Sequence, residues 1–269
     1  MEVNPLVGKL TLEEKIQLLS GFDLWRSGGS NRSKGLGYIK LTDGPNGARG
    51  GGGFKDSVPA ALFPCPSCLG ATFDRELAER MGKGIAEDSL SKHCHVSLAP
   101  TVNIQRDPRG GRWFESYSED PVLSGELGHA WIKGCQGCGV GSTPKHFVAN
   151  EAETYRRLSD SIMDQEALRE IYLLPFQRLL RNLARDHSRG EEASPKAGVF
   201  RGQPACIMTA YNKLNGISCS ENQELLQRIL RGEWGFKGLI MSDWFGTYST
   251  VQAIKAGLNL EMPGPTAFR

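Results

Sequence analysis

Gly238-Leu239-Ile240-Met241-Ser242-Asp243-Trp244 sets three apolar residues directly ahead of a carboxylate and a tryptophan. Leu239 to Met241, bounded by Gly238 and by polar residues, reads as a short buried strand of the kind found in parallel sheets covered on both faces. Other stretches share this form, a short run that ends in polar groups. Tyr38-Ile39-Lys40-Leu41 leads to Asp43, and His95 to Ala99 leads to a loop that contains Arg112. Gly141-Ser142 leads to Lys145 and His146, and Ala205 to Ala210 includes Met208 and leads to Tyr211. Helical segments separate these runs, and strands alternating with helices argue an α/β chain. A (β/α)8 TIM barrel brings the C-terminal ends of its strands to one mouth, where active sites sit. That is the expected fold.

The helices are read from caps and period. Thr11-Leu12-Glu13-Glu14 is a capping box, and Ile16, Leu18 and Leu19 supply an apolar face that runs to Gly21. Leu77, Met81, Ile85 and Leu90 approximate a helical period and predict a helix over Phe73 to Lys92. A helix through His129 to Lys133 follows, then one over Asp164 to Arg185 kinked at Pro175. Glu221 to Arg231 predicts another, with a capping box in Ser220 to Gln223. Leu258 to Met262 reads as a last strand, and Pro144 predicts an irregular strand ahead of Lys145. Gly50 to Gly53 lacks the spacing of a phosphate loop and reads as a mobile surface loop. The polar segment 186–204 reads as a disordered insertion in a single domain over 1–269.

The 269 residues suffice for one large barrel or two small domains. Hydrophobic content of 39%, charged content of 23% and a net charge of +2 are those of an ordinary soluble chain. No basic run is interleaved with aromatics, which argues against nucleic acid as a partner. No apolar stretch approaches the length of a membrane span, and Met1 to Lys9 lacks the apolar core of a secretory signal. Seven cysteines cannot all pair within one chain, and with the missing signal this predicts a reducing, cytoplasmic location. Two CxxC pairs, Cys65/Cys68 and Cys135/Cys138, raise a zinc or redox reading, with His93 and His95 as further ligands. The pairs lie far apart, prolines flank the first and glycines the second, and a redox pair would open a helix after a strand. They read as ordinary reduced thiols, with no metal and no cofactor expected.

A carboxylate beside a flat aromatic suits a sugar ring: Trp244 packs on its C–H face while Asp243 attacks the anomeric carbon. The same residues equally fit an Asp243 that caps a following helix, and Asp43 equally fits an Asx turn. The loop from Arg106 to Glu115 is dense in arginine, acid and aromatic residues. Arginine offers a planar fork of donors for paired acceptors such as carboxylates or vicinal hydroxyls, and Trp113 and Phe114 argue for packing over a solvated charge cluster. Lys145-His146, alone, has the look of a structural or solvent-facing pair.

Five motifs, in order, carry a resemblance: LTDGPNGARG from Leu41, NIQRDPRGGRWFESYSEDP from Asn103, TPKHFVANE from Thr143, CIMTAYNKLNG from Cys206 and GLIMSDWFGTY from Gly238. Together they resemble glycoside hydrolase family 3, and more narrowly its fungal β-glucosidases, over nearly the whole chain. The resemblance implies a barrel and retaining hydrolysis of terminal β-glucosyl residues from a small β-glucoside or oligosaccharide. It makes Asp243 the nucleophile and gives Asp43, Arg112, Lys145 and His146 the sugar's hydroxyls. Met208 and Tyr211 match residues beside the nucleophile, Trp244 walls the same subsite, and Arg49 matches a further motif position. In the β-glucosidase branch a glutamate from a downstream α/β domain donates the proton. The chain stops at Arg269, so that domain, that glutamate and the barrel's last helix are expected to be missing. A catalytically silent sugar-binding fragment is the alternative. A β-N-acetylglucosaminidase is disfavoured, because that branch has a KHFPGHG-type loop where this chain reads Lys145-His146-Phe147-Val148-Ala149.

Overall fold

The computed structural model describes residues 5–51, 53, 58–191, 200 and 202–264. In chain order its helices and strands are α1 (Leu12–Gln17), β1 (Leu41–Thr42), α2 (Pro66–Gly70), α3 (Arg75–Ser91), β2 (Val96–Ser97), α4 (Pro121–Gly137), β3 (Gly141–Ser142) and β4 (Asp160–Ser161). There follow α5 (Gln165–Ala167), α6 (Leu174–Arg189), β5 (Cys206–Met208), β6 (Lys213–Leu214), β7 (Ile217–Ser218), a π-type helix over Glu224–Glu233, β8 (Leu239–Met241) and α7 (Val251–Ala256). The architecture is α/β.

Strands β1, β2 and β3 are parallel neighbours, with Leu41 opposite Val96 and Val96 opposite Gly141. β5 and β8 are parallel too, with Met208 opposite Met241. Backbone bonds link these two groups. Val102 N–H donates to Lys145 O (2.9 Å) and Phe147 N–H to Met208 O (2.7 Å). Beyond β8, Ser242 N–H donates to Leu260 O (2.9 Å) and Gly21 N–H to Glu261 O (2.8 Å). Leu41 N–H then donates to Trp25 O (2.7 Å), and the antiparallel bridge of Arg26 to Lys40 returns the pairing to β1. The strands are very short because the pairing does not run on straight. Past β3 the regular ladder ends at Ser142, although Thr143 N–H still donates to Ala99 O (2.8 Å) and Pro144 O accepts from Met208 N–H (3.2 Å), Pro144 having no N–H of its own to give. β4, β6 and β7 form a small separate sheet that periodicity did not foretell.

The helices cover this sheet in sequence, α3 against α4 and α4 against α6. Trp131, Leu127, Ile85, Phe176 and Leu179 are almost wholly buried between them. The α3–α4 contact is close enough to demand glycine: a Cβ on Gly134 would lie 1.9 Å from Glu79 O. Across α4 and α6, His129 Nε2 meets Asp186 Oδ2 at 2.7 Å, with both residues buried. Burial holds the His129 imidazolium back and places its pKa below the usual 6.5, although Asp186 works the other way. The unfolded chain therefore binds a proton that the folded chain resists, and stability falls as the pH drops through the ordinary histidine range. The urea midpoint is expected to decline below about pH 6.5, and His129→Gln should flatten that decline. A midpoint with the same acid slope in both proteins would refute the assignment.

Local structure agrees with several expected signals and revises others. The capping box is present, with Glu14 N–H donating to Thr11 Oγ1 and Thr11 N–H to Glu14 Oε2. The kink expected at Pro175 is a π-type turn over Leu168–Tyr172, after which Pro175 sits in the first turn of α6. The helix expected from Glu221 is capped instead by Asn222, whose Oδ1 accepts from Leu225 N–H (3.1 Å), so the Ser220 capping box is not formed. Gly50, the first residue of the stretch read as a mobile surface loop, is buried: its N–H donates to Thr42 Oγ1 (2.9 Å), and it lies against Lys92 at a left-handed φ of 63°. α6 runs on to Arg189, so the expected disordered segment cannot begin at 186. Residues 192–199 and 201 lie outside the described residues.

Candidate active site

β8 delivers Asp243 and Trp244 to one end of the strand circuit, and its neighbours deliver their own C-terminal residues to the same place. A cavity of about 300 Å³ is lined there by Asp43, Arg112, Lys145, His146, Met208, Tyr211, Asp243 and Trp244, together with Trp25, Arg156 and Phe245. Loops after β1, β2, β3, β5 and β8 thus meet at one mouth. A cavity of this volume is of a size to take a small molecule.

Asp243 is 8% exposed, and its Oδ1 accepts from Trp244 N–H at 2.6 Å. Oδ2 has no hydrogen-bond partner among the described residues and stands 3.5 Å from His146 Nε2. Burial dominates and raises the carboxyl's pKa, while Lys145, Arg112, the Trp244 amide and Tyr211 pull it down. A buried carboxyl with a perturbed pKa that faces a cavity is a candidate functional group.

His146 is held by Asn103. The Asn103 carbonyl accepts from the His146 backbone N–H and lies 2.9 Å from Nδ1, and its amide donates to His146 O at 3.1 Å. That places the ring proton on Nδ1 and leaves Nε2 to accept from Arg112 Nη2 at 3.2 Å. Burial, with Arg112 and Lys145 close by, holds the imidazole's pKa well below its ordinary value. His146 is therefore a neutral acceptor that presents no charge to Asp243.

Glu115 anchors the two cations of the cavity wall. It accepts from Arg112 Nε, stands 3.7 Å from Lys145 Nζ and accepts from Thr101 Oγ1 at 3.1 Å. Its burial favours the neutral acid, yet Lys145 and Arg112 outweigh this and leave its pKa lowered. Glu153 does the same for Arg156, at 2.6 Å. Arg156 in turn lies 4.4 Å from the centre of the Tyr211 ring, whose hydroxyl donates to Trp244 O at 2.7 Å. Trp244 donates from Nε1 to Leu24 O (2.9 Å) and packs on Trp25 with ring centres 5.6 Å apart.

Of the residues singled out in the sequence, Arg49 alone does not line the cavity. It lies behind Trp25, its guanidinium 5.6 Å from the ring centre. Little in the residue pattern pointed to Trp25 and Arg156. Trp25 precedes the glycine-bearing stretch ahead of β1 and reaches the mouth only through the antiparallel bridge of Arg26 to Lys40. Arg156 follows the TPKHFVANE motif in a polar segment with no apolar pattern to place it. No cluster of metal-ligating groups is found among the described residues.

The family model described as Glycosyl hydrolase family 3 N terminal domain matches residues 48–186 and 195–268. The chain belongs to this family. The break in the match, 187–194, falls inside the segment read as an insertion, whereas 195–204 match. Among curated relatives, "Probable beta-glucosidase I" of Neosartorya fischeri is 49% identical over 269 residues, all of this chain and 30% of the relative. "Probable beta-glucosidase J" of Aspergillus fumigatus is 47% identical over 267 residues, 99% of this chain and 28% of the relative. Among solved structures, the β-glucosidase of Kluyveromyces marxianus in complex with glucose superposes with a TM-score of 0.89 at 46% identity, over all of this chain and 30% of that one. β-Glucosidase 3B of Thermotoga neapolitana in complex with glucose gives 0.84 at 39% identity, over 97% of this chain and 36% of that one. The chain thus spans less than a third of the length of these curated relatives.

Proposed function

We propose that this chain forms the sugar-binding, nucleophile-bearing barrel of a retaining β-glucosidase. The observation that carries this is Asp243: a buried carboxylate with an unpartnered oxygen, facing a cavity of sugar size and flanked by a tryptophan wall and two cations. The circuit of parallel strands, with functional residues at their C-terminal ends, is what a (β/α)8-type barrel supplies. Relatives whose names or complexes concern β-glucosidase and glucose support the substrate class.

In the mechanism, Asp243 Oδ2 attacks the anomeric carbon as the glycosidic bond breaks, and the leaving oxygen takes a proton. Water then attacks the glycosyl ester and releases the sugar with retained configuration. Asp43, Arg112, Lys145 and His146 hold ring hydroxyls, and Trp244 with Trp25 packs the ring's C–H face. Such clamps lower the barrier to the extent that they tighten as the ring flattens. Substrate hydroxyls that donate to Oδ2 would relieve the cost of ionising Asp243. Met208 and Tyr211 support the carboxylate from the neighbouring strand, and Arg49 holds Trp25 from behind.

Retention needs a second carboxyl group about 5–5.5 Å from the first, protonated at the start. Neither Glu115 nor Glu153 lines the cavity, and each is taken up in an ion pair with the cations of its wall. The proton donor in this proposal comes from polypeptide outside this chain, within the two-thirds of the relatives that it does not span. A sugar-binding role without turnover is the second reading, favoured by that same pairing of Glu115 and Glu153. A β-N-acetylglucosaminidase is disfavoured, since Lys145-His146-Phe147 continues as Val148-Ala149-Asn150 rather than as the loop that supplies that branch's acid/base histidine.

A 2-fluoro-β-glucoside with a dinitrophenyl leaving group tests the proposal, because its departure requires no proton. Intact mass should rise by one fluoroglucosyl unit, mapped to the peptide that holds Asp243. A folded sample that binds glucose yet acquires no adduct would overturn the nucleophile and leave the binding reading.

A further inference from the structure

The described residues place Cys65 and Cys68 in a setting that the prolines around them had seemed to forbid. Cys65 is the N-cap of α2, with Pro66 in its first turn, where a missing N–H costs nothing. Leu69 N–H donates to Cys65 O at 3.0 Å, so a closed turn holds Cys65 and Cys68. Residues three apart on such a turn are neighbours, with Cβ atoms about 5–6 Å apart, so a disulfide forms once the turn tightens by about 1–2 Å. Cys68 is exposed and Cys65 half-buried, whereas Cys94, Cys135, Cys206 and Cys219 are buried. Cys65 Sγ lies 3.2 Å from Ser67 Oγ. We propose that Cys65 and Cys68 are a redox couple, a modification site for small peroxides, with Cys65 the attacking sulfur and Cys68 the resolving one.

The Ser67 hydroxyl, with the amides of the turn, lowers the Cys65 thiol's pKa and favours the thiolate that attacks peroxide. In the first step the Cys65 thiolate attacks hydrogen peroxide: an S–O bond forms, the O–O bond breaks, and hydroxide leaves to be protonated as water. In the second, Cys68 sulfur attacks Cys65 sulfur, the S–O bond breaks, and hydroxide departs with the Cys68 proton as a second water. The two sulfurs supply the two electrons that reduce the peroxide. The other CxxC lacks this setting, since Cys135 is buried and donates to Val140 O at the far end of α4.

The position of α2 gives the couple a reach beyond its own turn. Just ahead of Cys65, Phe63 N–H donates to Asn46 O at 2.9 Å, in the loop that follows Asp43. On its other side α2 packs on the turn Trp113–Glu115, which follows Arg112. Closing the disulfide staples a turn that lies between two loops of the cavity.

The test treats the full chain with one equivalent of hydrogen peroxide, blocks remaining thiols with iodoacetamide and maps the peptides. The Cys65–Cys68 peptide should lose two hydrogens and carry no alkyl group, while Cys135 is unchanged. Cys68→Ser should stop at a Cys65 sulfenic acid that dimedone traps, and Cys65→Ser should slow peroxide consumption about tenfold. Alkyl groups on both thiols of the oxidised wild type, or wild-type consumption by a folded Cys65→Ser chain, would overturn the couple. The wild-type map stands alone should either variant fail to fold. None of these readings depends on glycosidase activity.

Discussion

Asp243→Asn is expected to abolish covalent labelling by the fluoroglucoside, a loss of about 10⁴-fold or more, while making the chain more stable. The two effects share one cause. The wild-type carboxylate is buried, its Oδ2 is unpartnered and its pKa is raised by that burial. The folded state therefore disfavours the charge that the unfolded chain carries freely. By linkage the cost of ionisation is absent below the unfolded carboxylate's titration and grows as the pH rises through it. An amide has no charge to bury, so the stabilisation should appear near neutral pH and vanish in acid. Relief of about 1 kcal/mol corresponds to a melting point higher by about 2–4 °C for a chain of this size. Thermal melts at two pH values decide it: an asparagine variant that melts lower than wild type at neutral pH would remove the buried-charge account.

Glu115→Ala should be among the most destabilising substitutions near the cavity. It strips the carboxylate from Lys145 and Arg112 together and leaves the Lys145 ammonium, 4% exposed, without its counter-charge. Removing one partner of a buried pair costs about 3–5 kcal/mol, here a fall in melting temperature of about 10 °C. Glu115→Gln retains the Thr101 contact and should lose less. The surface pair of Arg109 with Asp107 is the control, because the Arg109 side chain is 89% exposed: Arg109→Ala should leave the melt where it was. Equal melts for Glu115→Ala and Arg109→Ala would mean that the cation wall needs no anchor.

Much of this was readable in the chain itself, and the reason is local. Asp43, Lys145, Tyr211 and Asp243 each follow a short run along one strand, so strand ends could be located without knowing which strands pair. Arg112 and its loop came from composition, since arginine and aromatic residues together argue for a packed, functional loop. Pairing itself was hidden. Trp25 enters the cavity through an antiparallel step that no period records, and Arg156 through a cation held by Glu153 and a ring from another strand. The short helix at Cys65 was not foreseen because the prolines around it counted against one, when Pro66 in a first turn is a helix starter. Arg49 shows the opposite failure. Its motif position is right, but it sits behind Trp25.

The bond between Gly21 N–H and Glu261 O joins two stations that stand near opposite ends of the described chain. Its closure therefore awaits almost the whole chain. On a ribosome the first strands emerge early, yet the station that Gly21 needs appears only after β8 has left the exit tunnel. Until then Trp25 has no Trp244 to pack on, and the cavity lacks one wall. Such long-range closure makes for slow folding and leaves edge strands open to wrong partners meanwhile. Closure of the cavity wall thus depends on contacts made late in the described chain, and under the proposed function sugar binding is expected to report a completed strand circuit.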